Sequence, residues 1–237
     1  MGNNKPSLYC CCINQQPPRF SSIAPLVPIM AGAVYMTQQE KEEYKKCNFI
    51  MDDDGENISC LNPWFGDLTV LYWTWKNTRE PFVGVCQYRR PWMEDSLTAS
   101  VDGVLYVPPP AFFGSVEQQY LDCHSIFNAP LFTRELARQN KIPLSLEMVD
   151  SAWRQQKFYG CNMARGPREL FDKYCDLVFA IMMPLWEEHK ELCRSISGYQ
   201  SRTIAFTAER MITALILNGE YFFGKNIIQE APIGFIP

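Results

Sequence analysis

Apolar positions along this chain follow two rhythms. Short runs that are apolar on both faces, "SLYCCCI" and "FVGVCQY", read as strands buried in a mostly parallel sheet, from Leu8 to Ile13 and from Phe82 to Tyr88. Further strands are predicted at Gly103–Val107, ahead of Pro108, Pro109 and Pro110, at Phe158–Ala164 and at Asn226–Ile228. Between them apolar residues recur at helical spacing. A charged helix is expected over Thr37–Lys46, and another from about Pro63 or Gly66 to Asn77, with Asn62 and Pro63 as its cap and first turn. In that second helix Leu68, Leu71, Tyr72 and Trp75 form the core stripe, leaving Thr69, Trp73 and Lys76 on a neighbouring face.

Ser115 followed by Gln118 marks a helix start running to about Phe127. Helices over Pro130–Gln139 and Leu146–Gln155 follow. A long amphipathic helix after Gly166 and Pro167 should kink or break near Pro184, and a last one covers Thr203–Leu217. Pro17, Pro18, Pro25 and Pro28 predict a loop over Gln15–Pro28. The alternation of strands and helices implies one α/β domain over residues 1–237, with a helix-rich C-terminal half.

Composition narrows the function classes. With 22 Lys and Arg against 26 Asp and Glu, a net charge of −4, there is no basic footprint for nucleic acid. The ten cysteines include no Cys-x-x-Cys, and His124 and His189 are the only imidazoles, which argues against zinc and for reduced, largely buried thiols. Pro6 stands where a myristoylation signal needs Ser or Thr, and no apolar stretch reaches 18 residues. The expected protein is soluble, cytoplasmic or peripheral to a membrane, without a transmembrane segment.

Candidate chemistry begins where the strand ending in Gln87 runs into Tyr88, Arg89 and Arg90. Ligands of open α/β sheets sit beyond the carboxyl ends of strands, and guanidiniums there suit phosphate; a solvated strand end is the plain alternative. Asp52 and Asp54 have the minimal Asp-x-Asp spacing for a divalent ion such as Mg²⁺ or Mn²⁺, while turn and cap bonding is the other reading of "DDDGENIS".

Four stretches in order, "DDDGENISCLNPWFGDLTVLYWTWKN", "FVGVCQYRRPW", "YGCNMARGPRELFDKYCDLVFAIM" and "AERMITALIL", resemble the bacterial capsular and exopolysaccharide glycosyltransferase-like domain family, from about Pro28 to the C-terminus. Some of its members look like galactofuranosyltransferases. The resemblance implies a GT-A-like nucleotide-binding fold, a nucleotide-sugar donor, UDP-linked, and a glycan or lipid-linked oligosaccharide acceptor. The donor site it implies draws on Asp52, Asp53, Asn57, Lys76, Tyr88, Arg89, Arg90 and Asn162.

This chain departs from the family pattern in three places. Gln87 replaces a His, Asp67 replaces a Glu, and no His-Lys pair follows the first strand. For inverting transfer the general base is Glu209, by analogy of order with other GT-A enzymes, with Asp67 as runner-up because a helix start lowers its pKa. A salt bridge to Arg210 or Arg202 is the structural reading of Glu209. His124 and Trp73 are acceptor-side candidates, although a helical His or Trp is more often core. A non-catalytic sugar-nucleotide or carbohydrate-binding domain is the competing function.

Overall fold

A computed structural model describes residues 7–13, 26–93 and 103–235. The His-Lys position after the first strand lies outside them. Seven strands, β1 (Ser7–Cys12), β2 (Leu26–Met30), β3 (Ile50–Met51), β4 (Phe82–Gln87), β5 (Leu105–Val107), β8 (Arg165–Pro167) and β9 (Ile228–Glu230), form one open sheet in the order β3-β2-β1-β4-β8-β5-β9. Four of its pairings are parallel, and β8 alone runs against its neighbours β4 and β5. A separate antiparallel ribbon joins β6 (Ala111–Phe112) to β7 (Lys157–Phe158).

The central strands are apolar on both faces because both faces are covered. In β1, Tyr9 and Cys11 join the larger core, while Leu8, Cys10 and Cys12 join a smaller core on the opposite face with Met30, Met51 and Trp92. Against the larger core pack α3 (Leu68–Asn77), α7 (Arg168–Ser195) and α8 (Thr203–Leu217). The other helices are α1 (Gln38–Lys46), α2 (Asn62–Phe65), α4 (Val116–His124), α5 (Ala129–Arg138), α6 (Leu146–Arg154) and α9 (Gly219–Phe223). Gly84 lets β4 lie against β8, since a Cβ there would stand 2.2 Å from the Cβ of Arg165.

The structure corrects several expectations. Pro28 sits inside β2 rather than in a loop. Ala31 N–H bonds Cys12 on the β1 side and Met30 C=O bonds Asp52 on the β3 side, so the nitrogen of Pro28 faces β3, whose ladder starts only at Ile29. The helix expected up to Asn77 is two, broken at Gly66, which adopts φ 52°. Pro184 does not break α7, which stays continuous over 28 residues while Ile181, Met182, Leu185 and Trp186 around it are buried. That packing outweighs the single backbone bond a proline removes. The strand expected at Phe158–Ala164 is β7 followed by an irregular loop, because Cys161 and Asn162 take left-handed φ of 81° and 32°. The last strand begins at Ile228, two residues later than expected.

Candidate active site

β1 lies between β2 and β4, both parallel to it, so the strand order reverses here, and open α/β sheets bind ligands beyond the carboxyl ends of strands at such a point. There β4 closes into a turn: Arg90 N–H donates to Gln87 O at 2.9 Å, placing Tyr88 and Arg89 at its corner. Arg89 is exposed and stands 5.3 Å from the Tyr88 ring. Arg90 turns back and donates to Gln87 Oε1 at 2.8 Å. The Gln87 amide donates in turn to Asp67 Oδ2 at 2.5 Å, and Asn162 Nδ2 donates to Asp67 Oδ1 at 3.0 Å.

Residues 159–162 dock along one stripe of α8. Ala205, Glu209 and Thr213 are spaced by four and therefore share a face. Asn162 Nδ2 reaches Ala205 O, Cys161 N–H donates to Glu209 Oε1 at 2.8 Å, and Tyr159 N–H donates to Thr213 Oγ1 at 2.9 Å. The left-handed backbone at Cys161 and Asn162 is how one short loop serves both carboxylates: an amide for Glu209 and a side chain for Asp67. Arg210 holds the other oxygen of Glu209 at 2.8 Å and is itself fully buried, with its guanidinium 4.5 Å from the Phe158 ring.

Asp67 is enclosed by protein on most sides with a limited opening. Burial, opposed by the Asn162 and Gln87 hydrogen bonds and reinforced by the charge of Glu209, raises its pKa to about 6. The expectation that the start of α3 would lower this pKa is thus reversed, because desolvation outweighs a helix end. Asp67 occupies the N-cap position of α3 without capping it, since its side chain is committed to Gln87 and Asn162. The Cys161 thiol, pushed up to about 12 by burial and by Glu209, stays protonated.

The remaining candidates lie elsewhere or are fully committed. Asp52 is completely buried and accepts four bonds, from the Gly32 and Ala33 amides and from Ser59 Oγ and Thr69 Oγ1. These fill its four lone-pair directions, so it ties the loop after β2 to α3 and has nothing to offer a metal or a donor. Asp54 is exposed beside Lys45, Asp53 pairs with Lys41, and Asn57 bonds the backbone of its own loop. Among the described residues no three His, Cys, Asp or Glu side chains converge as metal ligands.

Lys76 lies 3.4 Å over the Trp75 ring, nine residues along α3 from Asp67 and so about 13 Å away. Trp73 is buried, donating to Asp54 O, whereas Tyr72 and Trp75 are half-buried against Phe179. The expected core face of α3 is therefore rotated toward Thr69 and Trp73. His124 stacks on Phe206 at 3.8 Å and bonds Gln200; burial holds its pKa below the ordinary imidazole value. The Glu209–Arg210 ion pair offered as the structural reading of Glu209 is present, whereas sequence reasoning missed the docking of residues 159–162, although the spacing of Ala205, Glu209 and Thr213 carried it. The depression along α6 lined by Leu146, Glu147, Asp150, Ser151 and Arg154 holds none of these groups, and its Asp150 is paired with Arg134 and Arg154.

Residues 13–106 and 93–220 match the family described as "Domain of unknown function (DUF4422)". The chain belongs to that family. No curated protein matches the chain in sequence. Among solved structures, this DUF4422 chain is similar to the apo structure of the bifunctional glycosyltransferase WbbM, with a TM-score of 0.70 and 18% identity over 98% of its own length. It spans 45% of the length of that protein. The match shows that this chain shares the α/β fold of that part of the glycosyltransferase. No described helix is long and apolar enough to cross a membrane.

Proposed function

We propose that this chain transfers a sugar from a nucleoside-diphosphate donor, UDP-linked, to a glycan acceptor by an inverting displacement. The observation that carries the reading is the coupled carboxylate pair, Asp67 and Glu209, at the carboxyl edge of the sheet beside Arg89 and Arg90. Such transfer needs positive charge on the departing diphosphate and a carboxylate to take the acceptor proton. Arg89 and Arg90 supply the charge. Glu209 takes the proton: each of its oxygens holds one donor and keeps a lone pair, and its side chain is 21% exposed. Asp67 positions the strand end, linking Arg90 to the 159–162 loop through Gln87 and Asn162.

The two substituted family positions touch one another. Gln87 keeps the N–H that a His there would offer Asp67 but cannot exchange a proton, so in this chain the pair titrates on its carboxylate alone. That substitution favours the second reading, a sugar-nucleotide-binding or carbohydrate-binding domain without turnover. Galactofuranose as the transferred sugar, and a role in capsular or exopolysaccharide synthesis on a lipid-linked acceptor, are the specific form of the first reading.

Thermal unfolding with UDP, GDP, dTDP and their sugars at millimolar concentration tests both. A ligand of the folded state raises the melting temperature by mass action, and UDP compounds should do so most. Flat curves with every nucleotide would remove the transferase and the nucleotide-binding readings together.

A further inference from the structure

The two carboxylates are each reached from a different side, and the two sides differ in chemistry. From Asp67 the bonds lead through Gln87 to Arg90, a cationic strand end. From Glu209 they lead through Arg210, whose Nη2 donates to Gln119 Oε1 at 2.5 Å, to a surface cleft of about 190 Å³ between α4 and the segment before it. The charge of Arg210 faces Glu209 and is buried, so apart from a single carboxylate, Asp122, what the cleft offers is uncharged: the Phe113 ring and the Gln118 and Gln119 amides.

Phe113 forms one wall. Its ring lies 5.9 Å from Phe158, the ring that supports the Arg210 guanidinium, and Phe113 N–H is fixed to Gln156 O at 3.0 Å. The neighbouring ribbon of β6 and β7 makes this a rigid platform, yet Phe112 and Phe113 are 69% and 39% exposed. A Cβ built on Gly114 would meet nothing within 4 Å, so the space in front of it is open. On the opposite wall Gln118 donates to Asp122 Oδ1 at 2.7 Å, leaving the second carboxylate oxygen and the amide oxygen facing solvent on exposed side chains. An exposed, rigid ring opposite a carboxylate and amide that accept hydroxyl protons is the chemistry that recognises a neutral sugar, with its apolar C–H face on the ring and its hydroxyls on the polar wall.

We propose that this cleft binds a neutral sugar residue of the acceptor glycan, with Phe113 as its stacking platform and Gln118 and Asp122 as its hydroxyl acceptors. The word acceptor rests on the glycosyl-transfer reading; the sugar specificity rests on the cleft itself. Its place, reached from Glu209 through Arg210 and Gln119, ties it to the proposed base.

Saturation-transfer NMR with neutral di- and trisaccharides ending in galactose, glucose or N-acetylglucosamine tests the cleft, alongside the melting shift with UDP. At least one saccharide should bind the unaltered protein. Its affinity should fall about tenfold or more in Phe113→Ala, as truncation of an aromatic anchor does, and in a Gln118→Ala/Asp122→Asn double variant whose exposed side chains carry no packing. The UDP shift should be the same in all three proteins. Unchanged saccharide affinity in both variants would overturn the proposal, as would a protein that binds UDP but none of the saccharides. Saccharide binding lost with Phe113 in a protein that never binds nucleotide would support the cleft and retire the transferase reading.

Discussion

Replacing Asp67 by Asn removes a charge that the fold holds at a cost, and the consequence depends on pH with a definite sign. The folded-state pKa, about 6 against an ordinary 3.8, means that the native protein binds the Asp67 proton more tightly than the unfolded chain does. Between those values the folded state carries more protons, so stability contributed by this group falls as pH rises and is lowest above pH 6. The difference corresponds to about 3 kcal/mol. Asn at this site must turn an N–H toward either Gln87 or Asn162, both of which donate here, a pH-independent loss of roughly 1–3 kcal/mol.

Urea unfolding of both proteins from pH 4 to 7.5 separates the two effects. The stability of Asp67→Asn relative to the unaltered protein should shift in the variant's favour by about 3 kcal/mol across that range, or roughly 6–12 °C in melting temperature for a chain of this size. The offset at pH 4 reports the hydrogen-bond loss. Because the charge of Glu209 is one cause of the raised pKa, Glu209→Gln should reduce the pH-dependent part. A relative stability that stays flat with pH would refute the burial argument and, with it, the coupling of the two carboxylates.

Arg90→Ala should weaken UDP binding by about 30-fold, since a converging charged contact to phosphate is lost, whereas Lys76→Ala, on the far end of α3, should leave it unchanged in calorimetry. Asp52→Ala should destabilise the fold by about 3 kcal/mol in urea by stranding four buried donors. A Kd for Mn²⁺ that changes with this substitution would contradict its structural role. Gly84→Ala should cost at least about 2 kcal/mol, because the added methyl meets the β8 backbone as well as the Arg165 side chain.

The architecture was largely legible because buried strands and amphipathic helices are local patterns. Apolar runs located β1 and β4, and Thr203–Leu217 was bounded correctly as α8. What the pattern missed depended on partners remote in sequence. Whether Pro28 can stand in a strand is decided by where β3 ends, and whether Pro184 breaks α7 is decided by what packs around it. The site was legible as residue types more than as contacts. Asp67, Arg90, Asn162 and Glu209 were singled out separately, and the structure gathers them around Gln87 and the 159–162 loop, whereas Asp52 and Trp73, equally prominent in sequence, are consumed by the fold. A run of three aspartates does not reveal that the first faces two backbone amides and two hydroxyls.

The account turns on Glu209 taking a proton from an acceptor while Arg89 and Arg90 hold the donor. Release of UDP from UDP-sugars, measured with and without a saccharide that binds the protein, compares the unaltered chain with Glu209→Gln directly. The account predicts saccharide-dependent release that falls by about 10²–10⁴-fold in Glu209→Gln, with the UDP melting shift of the variant unchanged. Equal release by both proteins, or no release by an unaltered protein that binds UDP normally, would contradict it.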